Sequence, residues 1–188
     1  MASEEQTMRV ITGTARGRKL KELVGMETRP TTDQVKESIF NIIQFDVEGR
    51  QVLDLFAGTG QMGLEALSRG AAHCVSVDLR KEAALLAREN MALCGFEGQS
   101  RVVQSDYLAY LSACREKYDL IFLDPPYGEG LLERALETIA KIDIVTENGI
   151  IVCESATDQV LPELAAPYEK GRDYRYGKIK VTLYRRAI

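Results

Sequence analysis

From Gln51 onward, short apolar runs alternate with longer stretches in which apolar residues recur every three or four positions. Val52 to Phe56, Cys74 to Val77, Arg101 to Gln104, Tyr118 to Leu123 and Gly149 to Cys153 are predicted as strands, because brief blocks rich in valine, isoleucine and aromatic residues suit a pleated sheet. Gln61 to Ser68, Lys81 to Leu93, Tyr107 to Arg115 and Leu131 to Ile142 are predicted as the intervening helices. Strands that alternate with helices imply a parallel sheet covered on both faces. The end of the chain breaks the alternation: Tyr168 to Tyr176 and Lys178 to Arg185 meet around Gly177. Such a hairpin adds an antiparallel strand to an otherwise parallel sheet.

The segment before Gln51 has another pattern. Met8 to Thr12 and Lys19 to Leu23, separated by Gly13 to Arg18, predict a small hairpin. Thr31 and Gln34 have capping-box spacing after Pro30, and Val35, Ile39, Ile42 and Ile43 follow at helical spacing, so a helix is expected as far as about Phe45. The expectation is one α/β domain over residues 1–188, with a hairpin and helix extension at 8–46 and a core at 47–188. A chain of 188 residues can bury roughly 70% of its unfolded surface without disulfides or metals.

Composition narrows the function classes. No run approaches the roughly 18 apolar residues of a membrane span, and Met1-Ala2-Ser3-Glu4-Glu5 is acidic where a signal peptide is basic. A cytoplasmic protein with no membrane partner is expected. Cys74, Cys94, Cys114 and Cys153 are widely spaced without a Cys-x-x-Cys pair, which suits buried free thiols. His73 is the single histidine and builds no multi-histidine metal site. No metal is expected.

The net charge of −4 argues weakly against a nucleic-acid partner, but the charge is unevenly distributed. Met8 to Lys21 carries Arg9, Arg16, Arg18, Lys19 and Lys21 with no acid, and Lys170 to Arg186 carries seven cations against Asp173 alone. Two basic ends around an acidic middle suit a phosphate-contacting surface. Solvated loop charge is the alternative.

Ligands of open α/β sheets bind at the carboxyl ends of strands, and Asp54, Asp78, Asp106 and Asp124 fall at or near four such ends. After Asp54 the chain reads Leu55-Phe56-Ala57-Gly58-Thr59-Gly60-Gln61-Met62-Gly63, a glycine-rich strand-to-helix turn that lets a ligand approach the main chain. Gly58, Gly60 and Gly63, with Asp78 twenty residues after Gly58, also match the dinucleotide fingerprint. The glycines alone leave NAD and S-adenosylmethionine open. Asp54 favours the latter, because a carboxylate before the turn repels a pyrophosphate and attracts a methionine ammonium; it is otherwise satisfied by loop amides. Asp78 is expected to accept ribose hydroxyls with Leu79 against the adenine. Asp106 either accepts the adenine amino hydrogens or caps a helix. Phe56 and Tyr107 complete the cofactor-binding set.

Asp124-Pro125-Pro126-Tyr127 directly follows the apolar run Tyr118 to Leu123. The prolines remove two amide donors and stiffen the turn, so acceptors face outward. An exocyclic amine is a poor nucleophile because its lone pair is delocalised into the ring. Acceptors for both its hydrogens, the Asp124 carboxylate and the Pro125 carbonyl, aim the lone pair at a methyl donor, and Tyr127 stacks on an unpaired or extruded base. A rigid surface turn is the structural alternative.

Gly58-Thr59-Gly60 with Asp54, followed by Asp124-Pro125-Pro126-Tyr127, resembles the class I amino-methyltransferases. More narrowly, Arg29-Pro30-Thr31-Thr32-Asp33-Gln34-Val35-Lys36-Glu37-Ser38-Ile39-Phe40-Asn41, Gly63-Leu64-Glu65-Ala66-Leu67-Ser68-Arg69-Gly70-Ala71 and Ile11-Thr12-Gly13-Thr14-Ala15-Arg16-Gly17-Arg18 are similar to the bacterial small-subunit ribosomal RNA guanine-N2 methyltransferases, from Met8 to Arg186. The resemblance implies a class I methyltransferase fold, with a mostly parallel seven-stranded sheet whose last strand is antiparallel. It also implies S-adenosylmethionine as methyl donor and N2 of the guanine conventionally numbered 966 as acceptor. The expected partner is small-subunit rRNA or the assembling 30S subunit, met by a monomer. Lys36 stands where the pattern has arginine and Asp78 where glutamate is commoner; both keep the charge, though lysine lacks a bidentate guanidinium. Arg16, Arg18, Lys19, Arg29, Lys36, Tyr176 and Lys178 are the candidate RNA contacts, and Glu154 ends a predicted strand without an assigned role.

Competing classes are distinguishable. A DNA adenine or cytosine amino-methyltransferase shares the proline turn, but no insertion for reading duplex sequence is evident. Protein glutamine methylation pairs typically with asparagine at the position of Asp124. An NAD-dependent oxidoreductase requires NADH binding, and an inactive RNA-binding module tolerates loss of Asp124.

Overall fold

The computed structural model describes residues 8–24 and 32–188. Five strands follow one another in parallel: β1 (Gln51–Asp54), β2 (His73–Asp78), β3 (Ser100–Gln104), β4 (Tyr118–Leu123) and β5 (Val145–Ala156). The sheet order is β3-β2-β1-β4-β5-β7-β6, where β6 is Tyr168–Tyr176 and β7 is Ile179–Arg186. β7 enters between β5 and β6 and pairs antiparallel with both, so the last strand alone runs against the others, as expected.

Strands sealed on both faces need apolar side chains at nearly every position, and β1, β2 and β4 are buried over almost their whole length. One face packs against residues 8–20, α1 (Asp33–Ile42), α2 (Gln61–Ser68) and α3 (Lys81–Leu93) through Val10, Phe40, Leu64 and Met91. The other face carries α4 (Tyr107–Ala113) and α5 (Leu131–Ile142) through Leu111, Leu132, Leu136 and Ile139. Gly63 lets α2 lie directly on β2, because a Cβ there would stand 2.6 Å from the Cys74 sulfur. The order reverses at β1, with β2 on one side and β4 on the other, which opens a crevice at their carboxyl ends.

Several boundaries differ from expectation for local reasons. The N-terminal hairpin is an arm with one bridge, Arg9 to Lys19, supported by main-chain bonds from Val10 to Arg18 and from Leu20 to Met8. The Ile11, Thr12 and Ala15 amides bond to Glu65 and Ser68 of α2, and the Lys21 amide to Asn90 of α3, instead of to a second strand. Helix α1 is capped by Thr32, whose hydroxyl accepts from the Val35 amide; Thr31 lies outside the described residues. That helix stops at Ile42, short of Phe45, and α4 stops at Ala113, short of Arg115. β5 is longer than Gly149–Cys153 because pairing resumes across an irregularity between Tyr118 and Leu120 of β4. Cys74 and Cys153 are buried thiols, whereas Cys94 and Cys114 are partly exposed.

Candidate active site

At the crevice the main chain leaves β1 through hydrogen bonds that shape the glycine turn. The Leu55 amide donates to the Phe122 carbonyl at 3.2 Å and the Ala57 amide to the Val77 carbonyl at 2.9 Å. Gly58 and Gly60 then take φ of +56° and +87°, values that other residues adopt only with strain. Above the turn lies a cleft of about 1160 Å³, somewhat beyond the roughly 300–1,000 Å³ of ordinary small-molecule sites. It is lined by residues at the carboxyl ends of all five parallel strands β1–β5 and by Met8, Glu22 and Leu23 of the arm.

Most of the site residues expected from sequence meet here. Phe56, Gly58, Asp78, Leu79, Asp106, Tyr107, Asp124, Pro125, Pro126 and Tyr127 all line the cleft. Asp78 is held from three sides: its Oδ2 accepts from the Gly58 amide at 2.8 Å, while Oδ1 accepts the Arg80 amide at 2.9 Å and Nε at 3.2 Å. Leu79 is 65% exposed, an apolar surface set against the cleft. Phe56 and Tyr107 stack at a tilt, 5.1 Å between ring centres. Asp106 caps α4, accepting from the Leu108 and Ala109 amides. Both bonds fall on Oδ1, so capping and a ligand contact through Oδ2 are compatible.

Asp54 and Gly60 do not line the cleft. Asp54 is 2% exposed beneath the turn, where it accepts from the Gly63 amide at 3.3 Å. Burial pushes its carboxyl up to about 7, against the pull of the Gly63 hydrogen bond and with repulsion from Asp78 adding to the rise. Gly60 supplies the left-handed residue before α2 and donates to the Ala57 carbonyl.

The proline turn closes the other side. Asp124 is half-buried, Pro125 is buried, and Pro126 and Tyr127 are exposed. Parallel pairing of Leu123 with Cys153 brings Asp124, just past the end of β4, beside Glu154 near the carboxyl end of β5. Glu154 is 6% exposed and lines the cleft, so the residue left without a role belongs to this site. The position of Glu154 after an apolar run was its only signal; Met8, Glu22, Leu23 and Arg80 gave none, because their place depends on how the arm and loops return.

The lining suits a cation. Among the described residues, Glu22, Asp78, Asp106, Asp124, Glu129 and Glu154 face it against Arg80 alone, and Arg80 pairs with Asp78. Such a surface opposes a dinucleotide pyrophosphate and favours a sulfonium with an ammonium. Two polar atoms in its wall, the Tyr107 hydroxyl and Gln61 Oε1, are buried without a hydrogen-bond partner among the described residues. Buried polar atoms are seldom left so unless a ligand or water completes them. The residues therefore fit S-adenosylmethionine.

The basic segments divide in two. Lys36 is no surface contact: it is fully buried, and Nζ donates to the Arg9 carbonyl at 2.7 Å, with burial lowering its pKa against the attraction of Glu65 and Asp33. In the carboxy-terminal cluster, Lys180 is buried against Gln159 and Asp173, Arg186 pairs with Asp143, and Lys170 and Arg175 bond to main-chain carbonyls. Arg16, Arg18, Lys19 and Lys178 remain exposed, and Tyr176 is partly buried against the arm-side core. Arg29 lies outside the described residues.

Comparison with known proteins agrees with this geometry. Residues 8–185 match the model of a family described as conserved hypothetical protein 95. The Bacillus subtilis (strain 168) protein YlbH is 40% identical over 182 residues, covering 95% of this chain and 99% of its own. Ribosomal RNA small subunit methyltransferase D of Escherichia coli (strain K12) is 34% identical over 179 residues, covering 95% and 90%. The solved structure of yhhF from Escherichia coli superposes with a TM-score of 0.88 at 31% identity, covering 97% of this chain and 99% of that one.

Proposed function

The chain belongs to the conserved hypothetical protein 95 family, and from that membership and the cleft we propose that it methylates N2 of a guanine in small-subunit ribosomal RNA, the base conventionally numbered 966. It is an S-adenosylmethionine-dependent methyltransferase of the class I fold. The observation that carries this reading is the convergence of the glycine turn, Asp78 and the Asp124–Tyr127 turn on one acidic cleft.

When bound, S-adenosylmethionine supplies a methyl group activated by a sulfonium. Gly58 would offer close approach to the main chain, Asp78 would accept ribose hydroxyls, Leu79 would lie against the adenine, and Asp106 would accept the adenine amine. Asp54 acts from behind the turn, holding Gly63 and adding negative potential. On the substrate side the Asp124 carboxylate and the Pro125 carbonyl accept the two amine hydrogens, which favours a pyramidal nitrogen whose lone pair is withdrawn from conjugation with the ring and aimed at the methyl group. Pro126 holds the turn rigid, and Tyr127 stacks on the extruded base. Most of the acceleration comes from orientation and fixed dipoles, with the proton leaving to water after transfer. Arg16, Arg18, Lys19 and Lys178 contact phosphates as the monomer meets naked RNA or the assembling 30S subunit.

The test is radiolabelled methyl transfer to small-subunit RNA, free and in particles, from cells lacking the enzyme, followed by nucleoside identification. N2-methylguanosine at one site is expected; label in DNA adenine or cytosine, or in protein, would refute the RNA assignment. Asp124→Ala should lower kcat by on the order of 100-fold or more with S-adenosylhomocysteine affinity retained. Unchanged turnover would mean that the cleft does not carry the chemistry.

A further inference from the structure

Asn90 of α3 is fully buried and polar, and its amide joins two parts of the cleft wall that are distant in sequence. Oδ1 accepts from the Lys21 amide at 2.8 Å, while Nδ2 donates to the Lys21 carbonyl at 3.1 Å and to the Thr59 carbonyl at 2.9 Å. Both N–H groups and one acceptor are thereby used. Lys21 precedes Glu22 and Leu23, which line the cleft from the arm; Thr59 lies between the two glycines of the turn. The same two parts touch again where the Thr59 hydroxyl meets the Met8 sulfur at 3.8 Å, and the Met8 amide donates to Glu22 at 2.7 Å.

Helix α3 also packs directly against the turn: a Cβ on Gly60 would meet Ala87 and Met91 of α3 at 3.4 to 3.7 Å. A shift of the turn is therefore felt by α3, and through Asn90 by the arm. The arm also carries the exposed cations Arg16, Arg18 and Lys19.

We propose that Asn90 is a positioning residue that links docking of the arm to the shape of the glycine turn, so that cofactor and RNA bind with positive cooperativity. The inference rests on the function proposed above. A ligand that favours the ordered turn favours the docked arm, and by linkage RNA held on the docked arm raises cofactor affinity by the same factor.

Hydrogen exchange on the wild-type chain, with and without saturating S-adenosylhomocysteine, gives the first test. Amides of residues 8–24 should exchange more slowly with the ligand bound. The second test measures S-adenosylhomocysteine affinity with and without protein-free small-subunit RNA. About five-fold or greater tightening is expected. Asn90→Asp keeps the acceptor for Lys21 but turns an acceptor toward two carbonyls, and should reduce that factor to about one in a variant whose circular dichroism and melting remain cooperative. A residue with a merely structural role would weaken both ligands and leave their coupling intact. Arm exchange indifferent to bound ligand in the wild type would overturn the proposal whether or not the variant folds, as would full coupling in Asn90→Asp. A wild-type chain that does not bind S-adenosylhomocysteine at all would refute the methyltransferase function itself, and this linkage with it.

Discussion

Replacing Asp54 by asparagine should make the ligand-free protein more stable at neutral pH and a poorer binder of its cofactor. The carboxyl is pushed up to about 7 by burial from an ordinary 3.8, so the unfolded chain loses its proton long before the folded one. A raised acid contributes nothing below pH 3.8, where both states are protonated, and it costs stability progressively as pH rises toward 7. The full cost is about 3 pKa units, or roughly 4 kcal/mol, more than half of which develops between pH 5 and pH 8. Asparagine keeps an acceptor for the Gly63 amide and cannot ionise.

Urea unfolding of wild type and Asp54→Asn at pH 5, 6, 7 and 8 measures this directly. The stability difference in favour of asparagine should widen by roughly 2 to 3 kcal/mol over that range. S-Adenosylhomocysteine affinity at pH 8 should fall in the variant, because the carboxylate adds negative potential behind the turn that meets the ligand's ammonium. Parallel pH profiles for the two proteins would refute the argument, since they would mean that the Asp54 charge is not held at a cost.

Other perturbations probe how the arm and the far sheet edge are held. Gly13→Ala should release the arm at a cost of roughly 1–3 kcal/mol, because φ is +92° and the new Cβ would fall 1.8 Å from the Ser68 carbonyl oxygen; unaltered melting and unaltered proteolysis near residue 13 would contradict this. Glu65→Gln should cost roughly 3 kcal/mol in urea unfolding, because the fully buried carboxylate accepts from the Ile11 and Thr12 amides and pairs with Arg69; a loss below about 0.5 kcal/mol, the scale of ordinary surface changes, would dismiss the pair as a support. Hydrogen bonds from Arg186 and then Tyr168 hold the Asp143 carboxyl well below its usual range, so its stabilisation is present above about pH 4 and fades as pH falls further. Asp143→Asn should therefore unfold with a flatter acid limb than wild type, and superimposable limbs would argue against the ion pair.

The elements legible in the sequence are those fixed by local periodicity. α2, α3, α5 and β4 have the predicted ends, because each is bounded by glycine, proline or a clear change of period. Strand-end acids were equally legible, since the carboxyl end of a parallel strand is a position that sequence order alone defines. Asp54 shows the limit of that inference: β1 ends at Asp54 itself, and the turn folds over the carboxylate instead of leaving it in the wall. Lys36 shows another. A lysine on a helix next to a basic arm has the pattern of a surface cation, and only the return of Arg9 across α1 buries it. Several cations of β6 and β7 likewise find partners that local sequence does not show, because Asp143, Thr157 and Gln159 come from other parts of the chain.

These pairings resolve the apparent conflict between an acidic chain and an RNA partner. Six carboxylates are gathered in the cleft, where they meet a cationic cofactor, and several cations of the last two strands are consumed in holding the sheet edge. On the arm, Arg9 and Lys21 are exposed but paired with Asp33 and Glu89, while Arg16, Arg18 and Lys19 are exposed as well, and those three are the charges a phosphate backbone meets. The arm, α1, α2 and α3 cover one face of the sheet together with Tyr176 at the start of the β6–β7 turn. Net charge sums over both regions and cancels the contrast. The two signs work separately, negative potential holding the methyl donor at the strand ends and positive potential drawing RNA to the arm that borders them.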